Sequence, residues 1–194
     1  MRLVFATHNP NKAKEVSVVL KDTGWQIVTL EDIGFHEEII EDGATLKENA
    51  WIKAETIYKL IGENVISDDT GLEVDALKGA PGVHSARYAG SQRSSEDNMN
   101  MLLLALDGHS NRSAQFRTVV ACIVNGERHE CEGVVRGHIA KEKTGAGGFG
   151  YDPIFIPEGY KESFGVLDAS IKNSISHRAR VFLNCRNLLL SLQQ

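Results

Sequence analysis

Apolar and polar positions along this chain fall into segments whose spacing predicts alternating strands and helices. Leu3-Val4-Phe5-Ala6 is a continuous apolar run that ends in Thr7-His8-Asn9-Pro10, the pattern of a buried strand delivering a polar turn. From about Pro10, the side chains of Ala13, Val16, Val19 and Leu20 share one helical face, and Gly24 stands where a helix C-cap is expected. Trp25 to Leu30 reads as a second strand. Across residues 45–61, Leu46, Ala50, Ala54, Ile57 and Ile61 recur at helical spacing while Lys47, Glu48, Glu55 and Lys59 are polar, the clearest amphipathic helix in the chain. Val65-Ile66-Ser67 then predicts a short strand ending in an acidic turn, Asp68-Asp69-Thr70-Gly71, and residues 72–77 alternate like a half-buried strand.

Residues 78–90 are rich in glycine and proline without a period, which predicts an ordered surface loop, and 97–106 reads as a helix. The strongest hairpin signal is 115–124 and 127–135 around Asn125-Gly126, because Asn-Gly suits the positive φ angles of a type I′ turn. A last helix is expected over about 174–192, with Ile175, Ala179, Phe182, Leu189 and Leu192 inward. No repeat, charge block or linker interrupts this order. The expectation is one α/β unit with a mixed sheet, residues 1–194 forming a single domain.

Composition narrows the classes of partner. The 194 residues carry 21 Lys and Arg against 26 Asp and Glu, a formal charge of −5, which argues against a nucleic-acid binder. No stretch approaches the ~18 consecutive apolar residues of a membrane span, and the apolar run at the start is too short for a secretory signal. The three cysteines, Cys122, Cys131 and Cys185, include no C-x-x-C pair, so neither a disulfide framework nor a zinc site is expected and the default is a reducing cytoplasm. A chain of this length buries roughly 70% of its unfolded surface without a metal staple, which leaves any bound metal available for chemistry.

Four groups of residues are candidates for chemistry. Asp68-Asp69, and Glu37-Glu38 with Glu41-Asp42 at another polar-to-helix boundary, are hard oxygen donors of the kind that hold Mg²⁺; the alternative is a solvated turn. Thr7-His8-Asn9-Pro10-Asn11-Lys12 lies between a strand and a helix, where backbone N–H groups and a lysine suit an anion. Residues 144–150 contain a literal G-x-G-x-x-G, but an extended segment, 151–156, follows it instead of the helix that a dinucleotide site requires. What remains is a flexible loop presenting Phe149 and Asp152, with Phe149 able to stack on a base or to pack in the core. Ser176-His177-Arg178 opens the last helix with Lys172 just before it, and cations at a helix N-terminus invite an anionic partner. His84, His109, His129 and His138 show no ligand spacing, and no G-x-S-x-G elbow is present.

Six blocks in order carry a family resemblance: Thr7-x-Asn9-x-x-Lys12; Glu48-Asn49-Ala50 with Lys53-Ala54; Ser67-Asp68-Asp69-Thr70-Gly71-Leu72; Gly79-Ala80-Pro81-Gly82-Val83 with Ser85-Ala86-Arg87-Tyr88; Gly147-Gly148-Phe149-Gly150-Tyr151-Asp152-Pro153; and Lys172-Asn173 before Ser176-His177-Arg178. Together they resemble the inosine triphosphate pyrophosphatase family. The resemblance implies an elongated α/β protein with a long mixed sheet flanked by helices, two lobes around a nucleotide cleft, and a homodimer. It implies Mg²⁺-dependent hydrolysis of ITP, dITP and XTP to the monophosphate and pyrophosphate. By position, it places the catalytic acid at Asp69, the triphosphate turn at Thr7 to Lys12 with Thr70, and base recognition at Phe149, Gly150, Tyr151, Asp152, Lys172, His177 and Arg178. Metal ligation would fall to Asp69 and Asp68 with Glu38 or Glu41. Two departures stand out: His8 where the family usually has glycine, and Ser170-Ile171 where it has an acidic pair. A residue other than glycine at a positive φ would be strained. A related pyrophosphatase of the Maf type and a nucleotide-binding module without catalysis are the competing readings.

Overall fold

The computed structural model describes residues 1–193, apart from the side chain of Asn11, so that candidate phosphate contact lies outside the described part. Among the described residues seven strands form one sheet: β1 (Arg2–Phe5), β2 (Gln26–Thr29), β3 (Val65–Val74), β4 (Pro81–Gly82), β5 (Ser113–Val124), β6 (Glu127–Ile139) and β7 (Phe155–Pro157). Their order is β2-β1-β3-β5-β6-β7, with β4 beside β3. β1 runs parallel to β2 and β3, whereas β4 is antiparallel to β3 and β7 to β6, so the sheet is mixed as expected. The helices are α1 (Pro10–Val19), α2 (Leu46–Ile61), α3 (Ser95–Ala105), α4 (Ala169–Ile175) and α5 (His177–Ser191).

The chain divides into two compact units, each assembled from separate stretches: residues 1–69, 118–133 and 179–194 in the first, and 70–117 with 134–178 in the second. The first unit's core follows from side-chain alternation along its strands. Leu3 and Phe5 of β1, Ile66 of β3, and Val120, Cys122 and Val124 of β5 cluster with Ala13 and Val16 of α1 and with Val181, Phe182, Cys185 and Leu189 of α5. The buried Trp25 indole donates to the Leu189 carbonyl at 3.2 Å, so this large side chain keeps its polar atom satisfied. The second unit gathers Leu72, Val74, Phe116, Val135, Ile139, Tyr151, Ile154, Phe155 and Phe164 with Met99, Leu102 and Leu106. The cysteines are free.

The Asn125-Gly126 turn takes φ angles of 52° and 81°, as a type I′ hairpin demands. Thr45 caps α2, its side chain accepting from Glu48 N at 3.1 Å, and Gly62 closes it in the left-handed region at φ 65°. Other expectations need correction. The acidic turn at 68–71 does not exist; β3 runs straight through it, because Asp68 and Asp69 are compensated by lysines brought in from two helices. The loop at 78–90 contains β4 and buries Pro81 and Ser85. Residues 152–154 form a 3₁₀ turn before β7, so 151–156 is not extended throughout. The last helix is two helices: Ser176 has ψ 156°, so Lys172 belongs to α4 and His177 begins α5.

Candidate active site

Side-chain alternation along β3 arranges the candidates of the first unit. Ile66 faces the cluster that holds α1, and Asp68, two residues on, shares that face; its carboxylate meets Lys12 Nζ of α1 at 2.8 Å with its side chain only 1% exposed. Ser67 points the other way and donates to the Ala50 carbonyl of α2. Asp69 shares that face and lands on the same helix, where Asn49 Nδ2 donates to it at 3.2 Å and Lys53 Nζ stands 3.7 Å away. Two carboxylates adjacent in sequence are thus served by different helices.

Lys53 also pairs closely with Glu41, so one ammonium bridges Glu41 and Asp69. Glu38 stands exposed on the segment that carries Glu41. Burial pushes the Asp69 carboxyl above the usual carboxylate range; Lys53 opposes this, Glu41 adds to it, Lys12 opposes and Asp68 adds. Asn49 and Lys53 stand in one of the family blocks without an assigned role, although a signal for one existed: both lie on the apolar face of α2 and are 1% and 8% exposed. Polar side chains on a buried face need partners.

The turn between β1 and α1 is ordered by its own side chains. Asn9 N donates to Thr7 Oγ1, and Asn9 Oδ1 accepts from Lys12 N, each at 3.2 Å. Pro10 is the first residue of α1, a position that requires no N–H donor. His8 is not among the residues at positive φ, so replacing glycine there costs no backbone strain. Thr70, the next residue of β3, is partly buried.

Further candidates lie in the second unit. Asp152, 3% exposed, accepts from Phe149 N at 2.7 Å and pairs closely with Lys172. The Phe149 ring is 48% exposed, with Lys172 Nζ 4.6 Å and Arg178 Cζ 5.2 Å from its centroid. His177 stacks on Phe116 at 4.8 Å between ring centroids. The Tyr151 hydroxyl donates to the Ser85 carbonyl at 2.8 Å, and burial, aided by Tyr88, raises its pKa. Far from being flexible, the glycine-rich loop is tied down by Thr144 to Ser163 at 2.9 Å and Gly147 N to Gly165 O at 2.9 Å. Its glycines permit close approach: a Cβ on Gly148 would sit 2.1 Å from Asp152 Oδ2, at φ 75°. Gly150 is also at positive φ, 63°.

Comparison with known proteins matches residues 3–188 to the Ham1 family. The chain belongs to this family. It is 46% identical over 189 residues to a protein from Flavobacterium johnsoniae named dITP/XTP pyrophosphatase, covering 97% of this chain and 98% of that one. A Bacillus subtilis relative of the same name is 44% identical, with 96% of both chains covered. Among solved structures, a HAM1 protein from Coxiella burnetii superposes with a TM-score of 0.94 at 36% identity over 98% of this chain and 99% of that one. The Staphylococcus aureus Ham1 protein gives 0.91 at 36% identity over the whole of both chains. The mixed α/β architecture is therefore that of Ham1 proteins.

Proposed function

We propose that this chain hydrolyses deaminated purine nucleoside triphosphates, ITP, dITP and XTP, to the monophosphate and pyrophosphate, with Mg²⁺. The observation that carries this reading is Asp69: a carboxylate largely withdrawn from water, held by Asn49 and Lys53, with its proton affinity raised. A carboxylate so raised is a better general base at neutral pH than an exposed one. Asp69 takes the proton of the attacking water. Lys12, fixed by Asp68 at the first turn of α1, carries positive charge toward the phosphates beside the helix N-terminus. Attack at the α-phosphorus, which releases pyrophosphate in one step, follows the family resemblance.

The donor set suits Mg²⁺. Among the described residues no three His, Cys, Asp or Glu side chains converge to hold a metal unaided, but Mg²⁺ is commonly bound by one or two carboxylates together with substrate phosphates. Asp69 and Glu41, bridged by one ammonium, would supply them, with Asp68 and Glu38 nearby in sequence. When bound, the ion neutralises charge on the triphosphate.

For the base, Phe149 offers a stacking face, and Lys172 and Arg178 offer donors suited to O6 of hypoxanthine or xanthine. Adenine presents an amino donor at that position and is disfavoured. Guanine shares O6 and N1–H, so its rejection rests on exclusion of its 2-amino group. Asp152 orients Lys172; Gly150, Tyr151 and His177 complete this part of the site. We assign the full chain to one functional unit, acting as a homodimer in the cytoplasm.

A panel of nucleoside triphosphates, with and without Mg²⁺ and with pyrophosphate distinguished from orthophosphate, tests the reading. ITP, dITP and XTP should release pyrophosphate only with Mg²⁺. Asp69→Asn should lower kcat by at least about 10²-fold, the lower end for a general base, while dITP binding persists. Full activity in that variant rejects the role of Asp69, and preference for other bases favours a Maf-type enzyme. Absence of pyrophosphate from every purine triphosphate leaves a binding module.

A further inference from the structure

His8 makes two contacts that a glycine in its place could not make. His8 Nε2 lies 2.9 Å from the Glu37 carbonyl oxygen, and its imidazole stacks on Phe35 with ring centroids 6.1 Å apart and planes 16° from parallel. A carbonyl only accepts, so Nε2 carries the hydrogen and donates. Both contacts join the turn after β1 to the segment 35–45, which has no regular secondary structure. That segment carries Glu38 and Glu41. Its far side is held through Glu41 to Lys53 and through Gly43 N to Asn49 Oδ1 at 2.9 Å. Its near side begins with Phe35 N donating to Leu30 O at 2.9 Å.

We propose that His8 is a positioning residue, which fastens the acidic segment to the phosphate turn and so sets the carboxylates of Glu38 and Glu41 before nucleotide and metal arrive. His8 acts through the Glu37 backbone and the Phe35 ring, not by touching the reacting atoms. An irregular segment must give up conformational freedom when it helps to bind a ligand, and a side chain that restrains it beforehand lowers that cost. The consequence is felt in binding more than in the chemical step. This inference rests on the pyrophosphatase reading for its kinetic part, but its structural part stands alone.

Three variants separate the two contacts. His8→Gly removes both, His8→Phe keeps a ring without a donor, and His8→Gln places an amide N–H where Nε2 lies. The first measurement is amide hydrogen exchange of residues 35–39 in protein free of metal and nucleotide. Exchange should quicken about 3- to 10-fold in His8→Gly, the range set by one net hydrogen bond, and stay within about twofold of wild type in His8→Gln. The second is steady-state kinetics with dITP. The KM should rise about 3- to 10-fold in His8→Gly with kcat within about twofold, and His8→Gln should restore it. Unchanged exchange in His8→Gly, or equal KM values for the Gly and Gln variants, overturns the proposal. If His8→Gly fails to fold, the Phe and Gln variants decide in the same way. If the wild-type protein releases no pyrophosphate, the reading of its activity falls, and the exchange comparison still judges the strap.

Discussion

Asp68 and Asp69 are consecutive, yet their environments oppose each other. Asp68 is buried against Lys12, and its removal strands a largely buried ammonium. Breaking such a pair from one side costs about 3–5 kcal/mol when both partners are fully buried, and Lys12 retains 18% exposure, so Asp68→Asn should cost roughly 2–3 kcal/mol. Asp69 behaves in the opposite sense. Its pKa in the folded chain lies above the unfolded value because burial outweighs Lys53, so the fold binds its proton more tightly than the unfolded chain does. Stability from this group is present at low pH and is lost as pH rises from the unfolded pKa through the folded one. Above the folded pKa the ionised carboxylate therefore weakens the fold. Asp69→Asn should melt higher than wild type in EDTA at pH 7, with the gap closing as pH falls toward the ordinary carboxylate range. Thermal melts of both variants across pH check this; a destabilised Asp69→Asn at neutral pH contradicts it. A group that weakens the fold and serves the reaction is what a functional site is expected to contain.

Helix α2 shows how local order supports the site, because Asn49 and Lys53 stand one turn apart near its start. Thr45 accepts from Glu48 N, and Glu48 Oε2 in turn accepts from Ala44 N at 2.6 Å, so both side chains satisfy backbone donors at the helix entry. Thr45→Ala should cost about 1 kcal/mol, read as a lower urea midpoint with unchanged slope. This helix was legible in the sequence because its apolar residues recur every three or four positions. The Asn125-Gly126 hairpin was legible because its turn chemistry is local. Strand β3 was misread at Asp68 to Gly71 because its compensating charges come from Lys12 and Lys53, remote in sequence. The break at Ser176 was missed because the apolar spacing continues from Ile175 into α5. In the site, the blocks named Asp69 and Lys12, but the bridge from Glu41 through Lys53 to Asp69 required the fold. The family's blocks also marked position 8 as different; only coordinates show that its imidazole reaches Glu37.

The charge of the chain, −5, argues against a nucleic-acid partner. The structure refines this, since Lys12, Lys53 and Lys172 each sit beside a carboxylate that holds them in place. Their pairing leaves little attraction for a polyanion. The same distribution of function along the chain governs its folding. The first unit draws on three separated stretches, and its core needs Val181, Phe182, Cys185 and Leu189 of α5 against Leu3, Phe5 and Ile66. Fully burying an apolar side chain contributes about 1.5–3 kcal/mol, so removing these four forfeits roughly 6–12 kcal/mol. That matches the whole stability expected of a domain, about 5–15 kcal/mol. The loss also takes the Leu189 carbonyl from the buried Trp25 indole. A chain ending at Arg178 should therefore lose slow amide exchange across the first unit's strands, residues 2–5 and 118–124. It should retain no pyrophosphatase activity although Asp69, Lys12 and the Phe149 cluster all remain. Slow exchange across those strands in that truncated chain would mean that residues 1–69 and 118–133 can close the first unit's core by themselves.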